Sequence, residues 1–584
     1  MRTMVRTTVI AALVPMLVAL LVGVAAPASA HEERESHFPP GDGSVPVHRD
    51  IGEAADVLVV CKPDSAERIQ QISDPELRSF NQQLLGRCEF RHLQAAVDAV
   101  SEQGTNIYLL PGHYREQPSW DPACGNDYDD GVAGYRLMTT CGEVLNLVTI
   151  AGDDPDDPDI SCDNALCDLQ IEGTGDRPKD VRFTGGFREN GDWVKHNGLK
   201  ADRADGFYLA NVTFELFREN AVYVHETDGY TVDDVVARKN DLYGLLTFAS
   251  DHGFISDCET YFNGDSGVYP GSASDVNSQN TNTGPLQRWA VEITGCDTHH
   301  NALGFSGTAG NSVYFHDNDV HHNGAGYVTD SVVGDHPGMP QDHAWLEDNR
   351  IYSNNVNYYP NVQDGGPCTK KDPADRGHQD GVVCPAFPVP VGTGVMIAGG
   401  NRNFVTSNEI YDNWRYGVML FWAPAGIRGE YDPAKQQDNP HHNAFTHNQF
   451  GYQPGGAVLP NGIDVWWDDA GTGNCWDDNL AAPGKEITHN ATDPRGLPDC
   501  PTGSMWPVGN VVKSAQLLPC SQYNRESNPD PAGCDWMDSP SRPSSSESAA
   551  GTVNTMSMPV GASGIGVLLA AAAGLVVWRR RVST

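Results

Sequence analysis

Positive charge is what this sequence most conspicuously lacks: 38 lysines and arginines stand against 77 aspartates and glutamates in 584 residues, a formal charge of −39. A chain so short of cations is not built to bind nucleic acid, because phosphate contacts need clustered cationic side chains. Docking onto anionic lipid is disfavoured for the same reason. The leucine framework of a leucine-rich repeat is missing, and no L-P-x-T-G precedes the C-terminal apolar stretch. Core material is present. A content of 39% hydrophobic and 9% aromatic residues excludes a wholly disordered chain. Sixty-one glycines and 39 prolines suit a turn-rich β protein better than a helical bundle.

The two ends point to export. Arg2 and Arg6, an apolar run from Val9 to Ala26, and Ala28-Ser29-Ala30 read as a signal peptide over 1–30; an N-terminal membrane anchor is the alternative. Val560 to Trp578 is uncharged and apolar and precedes Arg579-Arg580-Arg581. About 19 residues at ~1.5 Å each nearly span a hydrocarbon core, so 559–578 is expected to be a single transmembrane helix with 579–584 as a cytoplasmic tail. A tail removed during wall attachment is the rival. The Ser/Pro-rich segment 537–558 reads as a linker. The expected location is the cell surface, single-pass and anchored by the C-terminus.

Fourteen cysteines, an even number in an exported chain, favour disulfides over a metal cluster. Sequence neighbours suggest the pairs Cys61–Cys88, Cys124–Cys141, Cys162–Cys167, Cys368–Cys384, Cys475–Cys500 and Cys520–Cys534.

A short unit recurs through the middle: Asn or Cys, any residue, an apolar residue, two more, then Asn. It reads Cys258-Glu-Thr-Tyr-Phe-Asn263, Cys296-Asp-Thr-His-His-Asn301, Asn318-Asp-Val-His-His-Asn323, Asn349-Arg-Ile-Tyr-Ser-Asn354 and Asn408-Glu-Ile-Tyr-Asp-Asn413. Weaker copies end at Asn220 and Asn240. The base period is about 22 residues, with insertions in three intervals. Such a period, with short strands and an Asn at a corner, is what a parallel β-solenoid requires. Coils climb ~4.8 Å each, so equivalent residues stack and buried asparagines can bond from coil to coil. Cys258 and Cys296 then share one corner of successive coils, within disulfide reach; two buried thiols are the alternative.

With these units the chain resembles the right-handed parallel β-helix proteins of the pectate-lyase-like superfamily. The N-terminal mark is Leu93-Gln-Ala-Ala-Val-Asp-Ala-Val100, Gly104 and Asn106-Ile-Tyr-Leu-Leu-Pro-Gly-His-Tyr114. In that family such a helix caps the open first coil. The resemblance implies an all-β, right-handed parallel β-helix with an N-terminal capping helix and long loops on one edge. The expected divisions are a lead segment 31–89, a β-helix over 90–470 and a Cys-containing cap over 471–536. The superfamily holds lyases, glycosidases, epimerases, tailspikes, adhesins and maturation factors, so the fold leaves the chemistry open.

Registering the coils turns Ile293, Phe315, Leu346, Val405 and Phe445 inward, and Glu292, Tyr314, Trp345 and Phe404 outward. The next outward column is Thr294, His316, Glu347 and Thr406. Stacked outward aromatics need a cover, either a sugar face or the protein's own loops. The insertions Pro270–Arg288, Thr329–Gln341 and Ala423–Asn439 are expected to rise along one edge and wall this face into a groove. The loop Asp330 to His343 adds Asp335, His336, Asp342 and His343, which beside His316 and Glu347 offer an acid/base pair or ligands for a divalent ion; a plain polar loop is the alternative. His299-His300 and His321-His322 take equivalent places in neighbouring coils, where they can bind Cu or Zn or form a solvated ladder. The acidic runs Asp153–Asp159 and Asp127–Asp130 offer carboxylates for Ca²⁺ or are solvated turns.

The Asn-Thr-Asp, Gly-His-Asp and Arg-Ile-Lys set of polygalacturonase-like enzymes is absent, and Arg350 and Arg402 have no evident partners for a lyase role. The expected function is binding or processing of an extracellular polysaccharide in an aromatic-lined groove, by a lyase or glycoside hydrolase if catalytic. A non-catalytic adhesin or structural surface protein with a protein partner is the alternative.

Overall fold

A computed structural model describes residues 35–115, 146–153, 162–281, 286, 288–334, 336–505 and 507–544. Every registered strand pair in it is parallel, and each strand pairs with its counterpart one coil later: Val291–Thr294 with Val313–His316, that with Trp345–Glu347, and that with Phe404–Thr406. This is a parallel β-helix. Pairing runs from Val57–Val60 to Leu480–Ala481, extending on both sides of residues 90–470.

Each coil has three short strands, so the solenoid has three faces. The first carries the four strands just named. The second carries Glu259–Tyr261, Asp297–His299, Asp319–His321, Arg350–Tyr352 and Glu409–Tyr411. The third is a ten-stranded sheet that includes Ser266–Gly271, Ala325–Asp330 and Tyr416–Phe421. Two long strands, Phe207–Glu215 and Asp228–Arg238, bend around the corner between the first and second faces and join them into one 21-stranded sheet.

Alternation fills the interior. Ile255, Ile293, Phe315, Leu346, Val405, Phe445 and Trp476 form one vertical column, all buried. Opposite it, the Phe305 and Tyr327 rings stack at 4.1 Å, and Phe315 closes the triad at 5.0 and 5.4 Å. The helix Leu93–Asp98 turns Leu93, Ala96 and Val97 onto the core at the first coil.

Corners are built from one repeated device. A residue with left-handed φ precedes most corner amides: Asp317 before Asn318, His322 before Asn323, Asp348 before Asn349, Ser353 before Asn354, Ser407 before Asn408 and Asp412 before Asn413. Short polar side chains tolerate that conformation best. Gly295 takes the position before Cys296, and a Cβ there would meet Asp257 Oδ1 at 2.7 Å. The amides then bond from coil to coil. Between the second and third faces the Nδ2–Oδ1 chain runs Asn240, Asn263, Asn301, Asn323, Asn354, Asn413 and Asn461 at 2.8–3.4 Å. Asn220 belongs to a lower run and donates the other way, to Asn197 at 2.7 Å. A second ladder, Asn318, Asn349, Asn408, Asn448 and Asn479, stands between the first and second faces. A third, Gln341, Asn403, Asn443 and Asn474, follows the remaining corner.

Disulfides join Cys61–Cys88, Cys162–Cys167, Cys258–Cys296, Cys368–Cys384, Cys475–Cys500 and Cys520–Cys534, a content consistent with export. Cys258 and Cys296 have Cα atoms 4.4 Å apart, as coil neighbours must. Cys124 and Cys141 lie outside the described residues, as does the expected signal peptide. The single C-terminal transmembrane helix, and the cell-surface anchoring built on it, are corrected here. Among the described residues no helix is long and apolar enough to cross a membrane, and 559–578 lies outside them. Apolarity and length in a sequence measure compatibility with a bilayer, and do not establish that a helix forms.

Candidate functional site

On the first face, Glu292, Tyr314, Trp345 and Phe404 are register partners, as are Thr294, His316, Glu347 and Thr406. Their side chains make a connected strip. Tyr314 Oη donates to Glu347 Oε2 at 2.9 Å, and Trp345 Nε1 donates to the same oxygen at 3.2 Å. The Tyr314 ring lies 4.1 Å from that of His316, whose Nε2 is 3.0 Å from Glu292 Oε1 and whose Nδ1 is 2.8 Å from Asp317 Oδ2. Two carboxylates thus flank one imidazole, while a third accepts from a phenol and an indole.

The aromatics do not all face solvent. Trp345 is only 5% exposed because Phe404 packs on it at 4.0 Å and Trp289 meets it edge-on at 5.9 Å. Trp289 also stacks on Tyr314 at 4.9 Å. The open rings are therefore Trp289, Tyr314 and Phe404, all half-buried. Trp289 escaped the sequence reading because it stands just ahead of the strand Val291–Thr294, where period-2 alternation no longer fixes direction.

Burial works to lower the His316 pKa, but its hydrogen bonds to the Glu292 and Asp317 carboxylates outweigh it and leave it raised. Burial and the bond to Glu347 push the Tyr314 hydroxyl up, away from ionisation. A raised imidazole pKa stabilises the fold fully below the unfolded value and loses that contribution as pH rises through the folded one. His316 is therefore expected to titrate above an ordinary histidine by NMR. Glu292→Gln should bring the midpoint down, and an unmoved midpoint would remove Glu292 as its cause.

The second face carries another aromatic column. Tyr261, His299, His321, Tyr352 and Tyr411 stack at 5.0–5.3 Å with planes within 20°. All but Tyr411 are half-buried. His300 stacks on His322 beside it at 5.5 Å. Burial and the imidazoles around it push His300 down to about 4. Arg350, without an evident partner in the sequence, pairs with Asp319 on this face.

The loop residues are not brought to either column. His336 is buried over the third face, 3.1 Å from Tyr269 Oη and packed on Phe248. His343 is buried against Asp342 at 3.1 Å. Burial and the Asp342 carboxylate raise Asp275 to about 7. Asp335 and Asp127–Asp130 lie outside the described residues, as does all of the run Asp153–Asp159 but Asp153 itself, which is buried.

The loops also lean away from the expected direction. Val332 and Ile427 from two of the insertions, with Phe387, Trp422, Leu517 and Trp536, line a cavity of about 510 Å³ over the third face. Val332 joins the apolar cluster that holds the outer residues of that sheet, Met396, Met419 and Trp466. These two insertions do not wall the first face into a groove. Asp330, buried beneath the cavity, is raised to about 6 by burial. Asp228, Asp251 and His252 also cluster, but Arg288 already supplies their cation, at 2.8 Å from Asp251.

No protein-family model and no curated protein sequence matches the chain. Among solved structures, pectate lyase Pel9A is similar at 13% identity and a TM-score of 0.30, over 77% of this chain and 81% of that one. The A-module of the Azotobacter vinelandii mannuronan C-5 epimerase AlgE4 is similar at 12% and 0.37, over 69% and 93%. A mutant tailspike protein of E. coli bacteriophage HK620, in complex with a pentasaccharide, is similar at 9% and 0.40, over 77% and 68%. Likeness at this level concerns the coil and says nothing of the chemistry.

Proposed function

We propose that this chain binds an extracellular polysaccharide along its first and second faces, with the Tyr314–Glu347 and His316–Glu292 pairs as the groups that would act on it. The observation that carries this reading is the pair of aromatic columns running parallel to the solenoid axis. Their ring-to-ring spacing of 5.0–5.3 Å on the second face follows the coil rise, a repeat suited to successive sugar rings of one extended chain. A half-buried column of ring edges flanked by acceptors suits the C–H groups and the hydroxyls of a sugar together. His316, biased toward its protonated form, is the acid of the strip. Glu347 is its acceptor, in contact with the Tyr314 hydroxyl. A net charge of −39 favours a neutral glycan over a polyanionic one.

Affinity electrophoresis of the purified protein against neutral glucans, xylans and mannans, and against pectate and alginate, tests the reading. Retardation is expected in at least one neutral gel and in neither acidic one. A reducing-end assay on the retarding glycan reports cleavage, which His316→Gln should abolish. Absence of retardation by every neutral glycan would end the proposal.

A further inference from the structure

Four imidazoles cluster at the edge of the second face, bonded Nδ1 to Nδ1 within each coil. His299 and His321 are register partners with rings 5.3 Å apart and 10° from parallel. His300 and His322, each with left-handed φ, stack alongside at 5.5 Å and 9°. Within each coil the two Nδ1 atoms face one another, at 2.8 Å between His299 and His300 and 2.7 Å between His321 and His322. With metal–nitrogen bonds of about 2.0–2.1 Å, two cis nitrogens at a right angle stand ~2.9 Å apart. Each pair already has that bite, and rotation about the soft second side-chain torsion aims both lone pairs outward.

Carboxylates stand beside the far nitrogens of two of the rings. His321 Nε2 lies 3.0 Å from Asp297 Oδ1, and His299 Nε2 lies 3.5 Å from Glu259 Oε1. With the proton on Nε2, beside the carboxylate, Nδ1 is the donor to a metal. His300 and His322 lend their lone pairs by moving a proton from Nδ1 to Nε2, with no net release. His322 is exposed, which gives an ion a way in. With nitrogen the only ligand atom, the set fits late first-row divalent ions and not Ca²⁺ or Mg²⁺.

We propose that His299–His300 and His321–His322 are two stacked chelating pairs for a late first-row divalent transition ion, of which Cu²⁺ binds tightest. This does not depend on the polysaccharide reading.

The test titrates copper sulfate into the full chain after EDTA treatment, followed by calorimetry and electron paramagnetic resonance. The expected signal carries nitrogen superhyperfine lines from imidazole. The double substitution His300→Asn and His322→Asn, whose asparagines keep the left-handed corners, should weaken Kd at least tenfold and cut the nitrogen couplings at each pair from two to one. The adjacent pair His441 and His442 is the control: its rings are 6.4 Å apart, and His441 is bonded to Thr472 and Gln437. The same substitutions there should leave copper binding unchanged. Should the double variant fail to fold by circular dichroism, His322→Asn alone, on the exposed ring, must still remove one nitrogen coupling. Unchanged affinity and unchanged nitrogen lines in the quartet variants, an equal loss in the control, or no nitrogen coupling at all would each overturn the proposal.

Discussion

Replacing Asn323 by leucine is expected to lower the unfolding free energy by about 3–5 kcal/mol, although the side chains have nearly the same size and the site is buried. The amide of Asn323 does more than fill space. Its Nδ2 donates to Thr298 O at 2.9 Å, His321 O at 3.1 Å and Asn354 Oδ1 at 3.0 Å. Its Oδ1 accepts from Asn301 N at 2.9 Å and Asn301 Nδ2 at 3.3 Å. Leucine takes the acceptor from Asn301 N and removes one partner each from Asn301 Nδ2 and Asn354 Oδ1, in a place water does not reach. Each buried orphan costs about 1–3 kcal/mol. His322→Asn, one residue away and exposed, is the comparator and should stay within about 0.5 kcal/mol. Urea denaturation of both variants checks this. Equal midpoints would mean that packing alone, and not the amide ladder, holds the coils in file.

Trp289→Ala should weaken binding of the retarding glycan about 30-fold, roughly 2 kcal/mol, the usual result of truncating a central aromatic of a binding surface. Trp289 is the outermost ring of the first face, stacked on Tyr314 and covering Trp345. Its removal takes away one sugar platform and uncovers the indole beneath. Tyr352→Ala tests the second face in the same way, where the ring sits between His321 and Tyr411 at 5.0 Å from each. Isothermal titration of the two variants separates the faces. If binding is lost only with Trp289, the glycan uses the first face alone. If both variants bind as the parent does, neither column is the platform.

Most of the coil could be read from the sequence because a solenoid repeats its demands. The inward column from Ile293 to Phe445 and the outward partners Tyr314, Trp345, His316 and Glu347 follow from alternation once the corner asparagines set the register. The third ladder was not readable. It begins at Gln341 and takes its asparagines from Asn403, Asn443 and Asn474, outside the motif that marks the other two. Nor was the merging of two faces, since nothing in Phe207–Glu215 or Asp228–Arg238 announces a bend within a strand. Loop direction is a tertiary matter. His336 lies over the third face because Tyr269 and Phe248 wait for it there, and spacing along the chain carries no trace of that. The strip's chemistry was half-legible: alternation placed His316 and Glu347 on the outside, but only coordinates show which carboxylate each neighbour engages.

Asparagines separated by 23, 38, 22, 31, 59 and 48 residues meet in the same way, at 2.8–3.4 Å, along one ladder. The stack is therefore indifferent to how much chain is spent between its rungs. Lengthening a loop adds only slowly growing closure entropy, so excursions can be trimmed, extended or exchanged for foreign segments without retuning the scaffold. Such a molecule behaves as a ruler with a movable margin: its graduations are set by the corners, and what is written beside them is free to change.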